Sequence, residues 1–104
     1  MENNTITRTE IRNKLGNFIK VKGIESPRSY ENVRNQYEVI FENGNIFQSY
    51  DTLIGVRVNG KLYLTDDHNC SNTTSKYCNV WCGYDTKERQ ERLADGRIGK
   101  IIDD

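Results

Sequence analysis

An α+β fold built on a four-stranded antiparallel meander is what this sequence predicts, and three observations carry the prediction. Asn43-Gly44 and Asn59-Gly60 each sit between short apolar runs, YEVIFE and NIFQSY around the first, LIGVRV and KLYLT around the second. Asn-Gly between such runs is a strong hairpin signal, because a two-residue type I′ turn needs positive φ at both central residues. The third observation is a helical stripe, Ile11, Leu15, Phe18 and Ile19, ahead of the strands.

Taken in order, residues 9–19 predict an amphipathic N-terminal helix with Thr7 or Thr9 as N-cap. Gly16 weakens it by up to about 1 kcal/mol relative to Ala, so the helix depends on packing. Residues 23–35 contain Gly23 and the sole proline, Pro27, show no sustained period, and read as a loop. Asn43-Gly44 as the first turn pairs Phe41 with Ile46, Val39 with Gln48 and Tyr37 with Tyr50 on one face, and Ile40 with Phe47 on the other. The second hairpin puts Ile54, Val56 and Tyr63 on one side and Leu53, Leu62 and Leu64 on the other. Both faces are apolar, so helices are expected to cover both.

Ser71 is the N-cap of a short helix carrying Tyr77, Cys78, Trp81 and Cys82, closed by Gly83. Asp85 and Glu88 then form a capping box for TKERQERLA, ended by Asp95-Gly96. Leu93 is the only large apolar residue of that second helix, which is expected at the surface. Ile98, Ile101 and Ile102 are expected to return to the body as a final strand or arm. One domain spans residues 1–104, with its core in 8–94 and a C-terminal arm in 95–104.

A chain of 104 residues supports one modest core. Fifteen basic residues balance fifteen acidic ones, so the overall charge writes in neither a general nucleic-acid binder nor an acidic mimic. Residues 1–34 hold seven basic against four acidic side chains, and such an excess suits a solvated face or a weakly acidic partner. MENNTITRTE lacks the apolar centre of a signal peptide and no later run approaches a membrane span, so a cytosolic protein is expected. There, three cysteines do not make a disulfide framework, and Asn3, Asn69 and Asn72 carry no meaning as glycosylation acceptors.

Residues 68–83, HNCSNTTSKYCNVWCG, gather all three cysteines, the only histidine and the only tryptophan. His68, Cys70, Cys78 and Cys82 have the number and type of ligands that a structural zinc site wants. Cys78 and Cys82 share a helical face while His68 and Cys70 approach from the loop, though the spacing is not that of the usual zinc knuckles. Asp66 or Asp67 could stand in for His68. Four protein ligands would close the site, making zinc a staple rather than a catalyst. The competing reading makes Cys78 and Cys82 small buried apolar residues beside Trp81. No phosphate-binding loop, nucleophile elbow, zinc-protease or dinucleotide motif is present, so a non-enzymatic protein is expected. Tyr30, Arg34, Lys76, Tyr84 and Arg89 are the candidate partner-binding residues, since Tyr and Arg are enriched in protein-binding hot spots.

Phe47, Ser49, Tyr50, Thr52 and Ile54, followed by Thr73, Thr74, Lys76 and Tyr77, form an F-x-S-Y-x-T-x-I strand and a T-T-x-K-Y helix. This pattern, over about residues 36–84, resembles a family of small bacteriophage and mobile-element proteins whose shared motifs are structural. The cysteines depart from that pattern, so the zinc site rests on this sequence alone. A phage-type accessory protein of this size is similar to the small inhibitors that block CRISPR effector nucleases, some of which contain metal. The resemblance therefore implies an anti-CRISPR inhibitor that binds a CRISPR effector nuclease stoichiometrically in the host cytosol, with no membrane role. A phage nucleic-acid-binding or regulatory module, using the basic N-terminal third, is the alternative.

Overall fold

The computed structural model describes residues 4–26, 28–29 and 31–103. Its frame is a single seven-stranded mixed sheet with the order β1-β7-β6-β5-β4-β3-β2. The strands are β1 (Thr5–Thr7), β2 (Phe18–Glu25), β3 (Asn32–Phe41), β4 (Gly44–Ser49), β5 (Thr52–Val58), β6 (Lys61–Leu64) and β7 (Gly99–Ile102). Three helices accompany them: α1 (Arg8–Leu15), α2 (Asn72–Cys82) and α3 (Thr86–Asp95), with a 3₁₀ turn at Asp66–Asn69. The expected four-stranded meander is thereby corrected. β3 to β6 do pair antiparallel, but β2 extends them on one side, and β7 and β1 join in parallel on the other. Parallel neighbours need a long crossover, and the 3₁₀ turn with α2 and α3 is that crossover from β6 to β7.

The missed strand β2 follows from how α1 ends. Thr7 caps α1 in a full capping box with Glu10, but Gly16 at φ 75° stops the helix after Leu15. The chain is then pinned to the β3–β4 hairpin. Glu42 N–H donates to Asn17 O (3.0 Å), Asn43 N–H to Leu15 O (3.0 Å), and Asn17 N–H to Glu42 Oε2 (3.1 Å). From there Phe18 and Ile19, expected on the helix, run along β3 as strand, and both are exposed. Much of the expected loop is likewise strand.

The two Asn-Gly turns come out differently. Asn59 (φ 54°) and Gly60 (φ 74°) form the expected turn, with Val58 opposite Lys61. At the first hairpin the turn residues are Glu42 and Asn43, and Phe41 pairs with Gly44, Val39 with Ile46 and Tyr37 with Gln48. Hydrogen bonds to the end of α1 select this turn, moving the register two residues from expectation while leaving each side chain on its expected face. β5 changes faces midway: Phe47 pairs with Gly55 but Gln48 with Leu53, leaving Ile54 as the bulged residue. Ile54 therefore packs with Leu62 and Leu64, while Leu53 joins the side of Val56, the reverse of the strict alternation expected.

One sheet face is covered by α2, whose Tyr77, Cys78, Trp81 and Cys82 pack on Phe47, Ile54, Leu62 and Leu64. Ser71 and Gly83 cap it as predicted, and Asp85, Glu88 and Gly96 bound α3 as predicted. On the other face Ile11 and Leu15 of α1 pack on Ile6, Val56, Val58 and Ile101. The first and last described strands, β1 and β7, are thus neighbours in the sheet. Of the expected final strand or arm, the structure has the strand: β7, with Ile101 buried in it and Ile98 buried just before it.

Candidate functional site

Arg89 organises the polar interior. On α3 it was expected as an exposed binding residue, but it is fully buried. Its Nε donates to His68 Nδ1 (3.0 Å), its Nη1 to Tyr84 O (2.9 Å) and to Asn79 Oδ1, and its Nη2 to Ser75 Oγ (2.9 Å) and Thr86 Oγ1 (3.2 Å). These acceptors are neutral, and no carboxylate pairs with Arg89 among the described residues. The rigid five-donor fork of arginine can satisfy so many acceptors at once. One sequence signal pointed inward: Arg89 lies four residues before Leu93, on the same helical stripe.

This arrangement corrects the expected zinc staple. His68 is buried on the 3₁₀ turn, with its Nδ1 lone pair already accepting from the Arg89 guanidinium. Burial, then the neighbouring Arg89 charge, holds the imidazole below its ordinary pKa of 6.5, against the opposing pull of Asp66. Cys70 is exposed beyond the turn, whereas Cys78 and Cys82 are buried in the apolar cluster under Trp81. Among the described residues no group of three or more His, Cys, Asp or Glu side chains is placed to hold a metal ion. The neighbouring Cys82 side chain, together with burial, pushes the Cys78 thiol up. Cys82 is held the lower of the two by its contact with Cys78, although burial opposes the shift. Its own thiol reaches Tyr84 O (3.5 Å).

The remaining candidate binding residues are not gathered. Arg34 is exposed near the start of β3, and Lys76 is exposed on α2 above the Tyr77 ring (5.3 Å). Tyr84 is half-buried beneath Arg92 (4.2 Å), and Tyr30 lies outside the described residues.

An apolar surface that sequence reasoning missed lies on the face α1 only half covers. Directly paired residues share a face, so Val21, Val39, Ile46 and Val56 form one row across β2 to β5. Val56 is 0% exposed beneath α1, Ile46 and Val39 are half-buried, and Val21 is 53% exposed. A second row behaves alike, from Val58 through Phe41 to Phe18, which meets Phe41 edge-on (6.0 Å) and is 58% exposed. Beside them a groove of about 370 Å³ runs between α1 and the sheet, floored by Phe41, Ile46 and Leu53 and rimmed by Arg8 and Arg12. Lys20 and Lys22 of β2, opposite Ile40 and Glu38, lie on the other face of the sheet, where Lys22 pairs with Glu38 (3.6 Å). The missed signal was the Val21–Val39 pairing, invisible while residues 9–19 read as helix and 23–35 as loop.

Comparison with known proteins gives one match: residues 7–96 fit the model of a family described as "Family of unknown function (DUF8033)". No curated protein and no solved structure matches the chain. Among the described residues no helix is long and apolar enough to cross a membrane.

Proposed function

Starting from the fact that the chain belongs to the DUF8033 family, which assigns no activity, we propose that it is a non-enzymatic accessory protein that works by stoichiometric protein binding. The observation that carries this reading is the pair of apolar rows ending in exposed Val21 and Phe18 on an open sheet edge. An apolar patch on an unpaired edge strand is a docking surface in which main-chain bonds add affinity and side chains add selectivity. Arg12 at the rim of the adjoining groove favours a partner with an acidic residue beside its own apolar ones, while Arg8 is already paired with Asp103 (3.0 Å). The partner is a host-defence protein in the host cytosol, and the resemblance to phage accessory proteins points to a CRISPR effector nuclease, making the chain an anti-CRISPR inhibitor.

The test is a reconstituted DNA-cleavage assay with purified CRISPR effector nucleases, combined with size-exclusion chromatography of the mixture. Cleavage should fall linearly with added protein to an equimolar endpoint, and Val21→Glu should abolish both inhibition and co-elution while leaving the melting temperature unchanged. Full cleavage at large excess of the wild-type chain would refute the nuclease as partner. Inhibition unaffected by Val21→Glu would refute this surface.

A further inference from the structure

A second concave surface lies at the buried Val58 end of the second row, far from exposed Phe18, where the ends of β4, β5 and β6 meet Tyr84 and the end of α3. It is a groove of about 610 Å³, within the range of small-molecule sites. Arg57, Lys61, Arg92 and Arg97 line it, and no carboxylate-bearing side chain is in the lining. Arg97 is neutralised by Asp95 (2.6 Å). Among the described residues Arg57 and Lys61 have neutral partners, while Arg92 also lies within the field of the Asp95 carboxylate. Arg57 donates to Cys82 O (3.0 Å) and lies over Trp81 (4.9 Å). Lys61 donates to Asn4 Oδ1 (2.8 Å), and Arg92 stacks on Tyr84 (4.2 Å). Arg57 and Lys61, with Arg92 beside them, leave the groove with excess positive charge that attracts an anion, and concavity concentrates that field.

We propose that this groove binds a nucleoside phosphate, either a free nucleotide or a unit of a single strand. Arg57, Lys61 and Arg92 would meet the phosphates, a role suited to the guanidinium fork and the ammonium point charge. The Tyr84–Arg92 stack offers a planar platform for a base, and the exposed Asn43 and Asn59 at the rim carry amides able to meet base edges. The buried Arg89 contributes from behind as a positioning residue, since its bond to Tyr84 O fixes the backbone that presents the ring. The site is independent of the protein-binding reading.

Fluorescence polarisation of a short labelled oligodeoxythymidylate, with ATP and inorganic phosphate as competitors, tests the proposal on the full chain. Three contacts to a single strand give a slope of log K against log salt of about −2 between about 50 and 200 mM. Lys61→Gln/Arg92→Gln should weaken binding at least about tenfold and bring the slope to about −0.7. If that variant melts early, Lys61→Gln alone should reduce the slope by about 0.7. Competition by ATP identifies the free nucleotide as sufficient, and competition by unlabelled strand alone identifies the strand; both support the site. Absence of saturable binding at low salt, or an affinity and slope unchanged in the variants, overturns it. Phosphate competing as strongly as ATP reduces the groove to a bare anion site and overturns the nucleoside assignment. Val21→Glu should leave the binding intact, which separates this outcome from failure of the protein-binding reading.

Discussion

Arg89 stands where sequence and structure disagree most sharply, and the disagreement is energetic. A buried guanidinium is costly unless every donor is met, and here α2, α3 and the 3₁₀ turn all supply acceptors. Arg89→Met should therefore cost about 3 kcal/mol in urea unfolding, because it orphans the acceptors of His68, Asn79 and Tyr84 together. Arg89→Lys should recover little, since three donors on one nitrogen cannot span the same partners. His68 adds a pH dependence. Its folded pKa lies below 6.5, so between that folded value and 6.5 the unfolded chain holds more protons than the folded one. Stability then rises with pH through this window and is lost on acidification below 6.5. The slope from this one group is at most about 1.4 kcal/mol per pH unit, and His68→Gln should flatten it. The thiols separate in the same spirit: a thiol-reactive dye should label Cys70 at once, and Cys78 and Cys82 only on unfolding.

The elements divide into those whose causes are local and those whose causes are distant. Two glycines in equivalent Asn-Gly pairs show the difference. A Cβ on Gly60 would meet nothing within 4 Å, so Gly60→Ala carries only the strain of its φ of 74° and should cost about 1 kcal/mol. A Cβ on Gly44 would collide with Arg57 O and lie 2.9 Å from Leu15 Cδ2, so Gly44→Ala should cost about 2 to 3 kcal/mol. Paired thermal melts of the two variants check the order, and equal losses would contradict it. The helix caps at Ser71, Gly83 and Asp85 and the Asn59-Gly60 turn were legible because their hydrogen bonds and φ angles are set within a few residues. β2 was not legible, because the Ile11, Leu15, Phe18, Ile19 spacing fits a helix, and only bonds to Glu42 and Asn43 redirect the chain. The bulge at Ile54 was hidden for the same reason, and the burial of Arg89 was signalled only by its shared stripe with Leu93. Of the candidate site, sequence found Tyr84 but neither the apolar rows nor the basic groove, since each is assembled from segments far apart in the chain.

For the molecule as a whole, the strand order makes the two chain ends structural partners. β1 pairs only with β7, and β7 bridges β1 to β6. Ile6, Ile11 and Ile101 share one apolar cluster, so losing contact at one end loosens the other. Ile101→Ala should cost about 2 to 4 kcal/mol and speed amide exchange in α1, more than 85 residues away in sequence. Unchanged exchange in α1 would show that the two ends are not coupled. The parallel alignment has a mechanical consequence as well. Thr5 lies beside Lys100 and Thr7 beside Ile102, so tension on both ends drags β1 and β7 in opposite directions along their shared axis. Their hydrogen bonds are then loaded side by side in shear rather than broken one after another. Although this seam is only three residue pairs long, it guards the fold against being pulled open, and stretching the chain from its ends should meet its first resistance there.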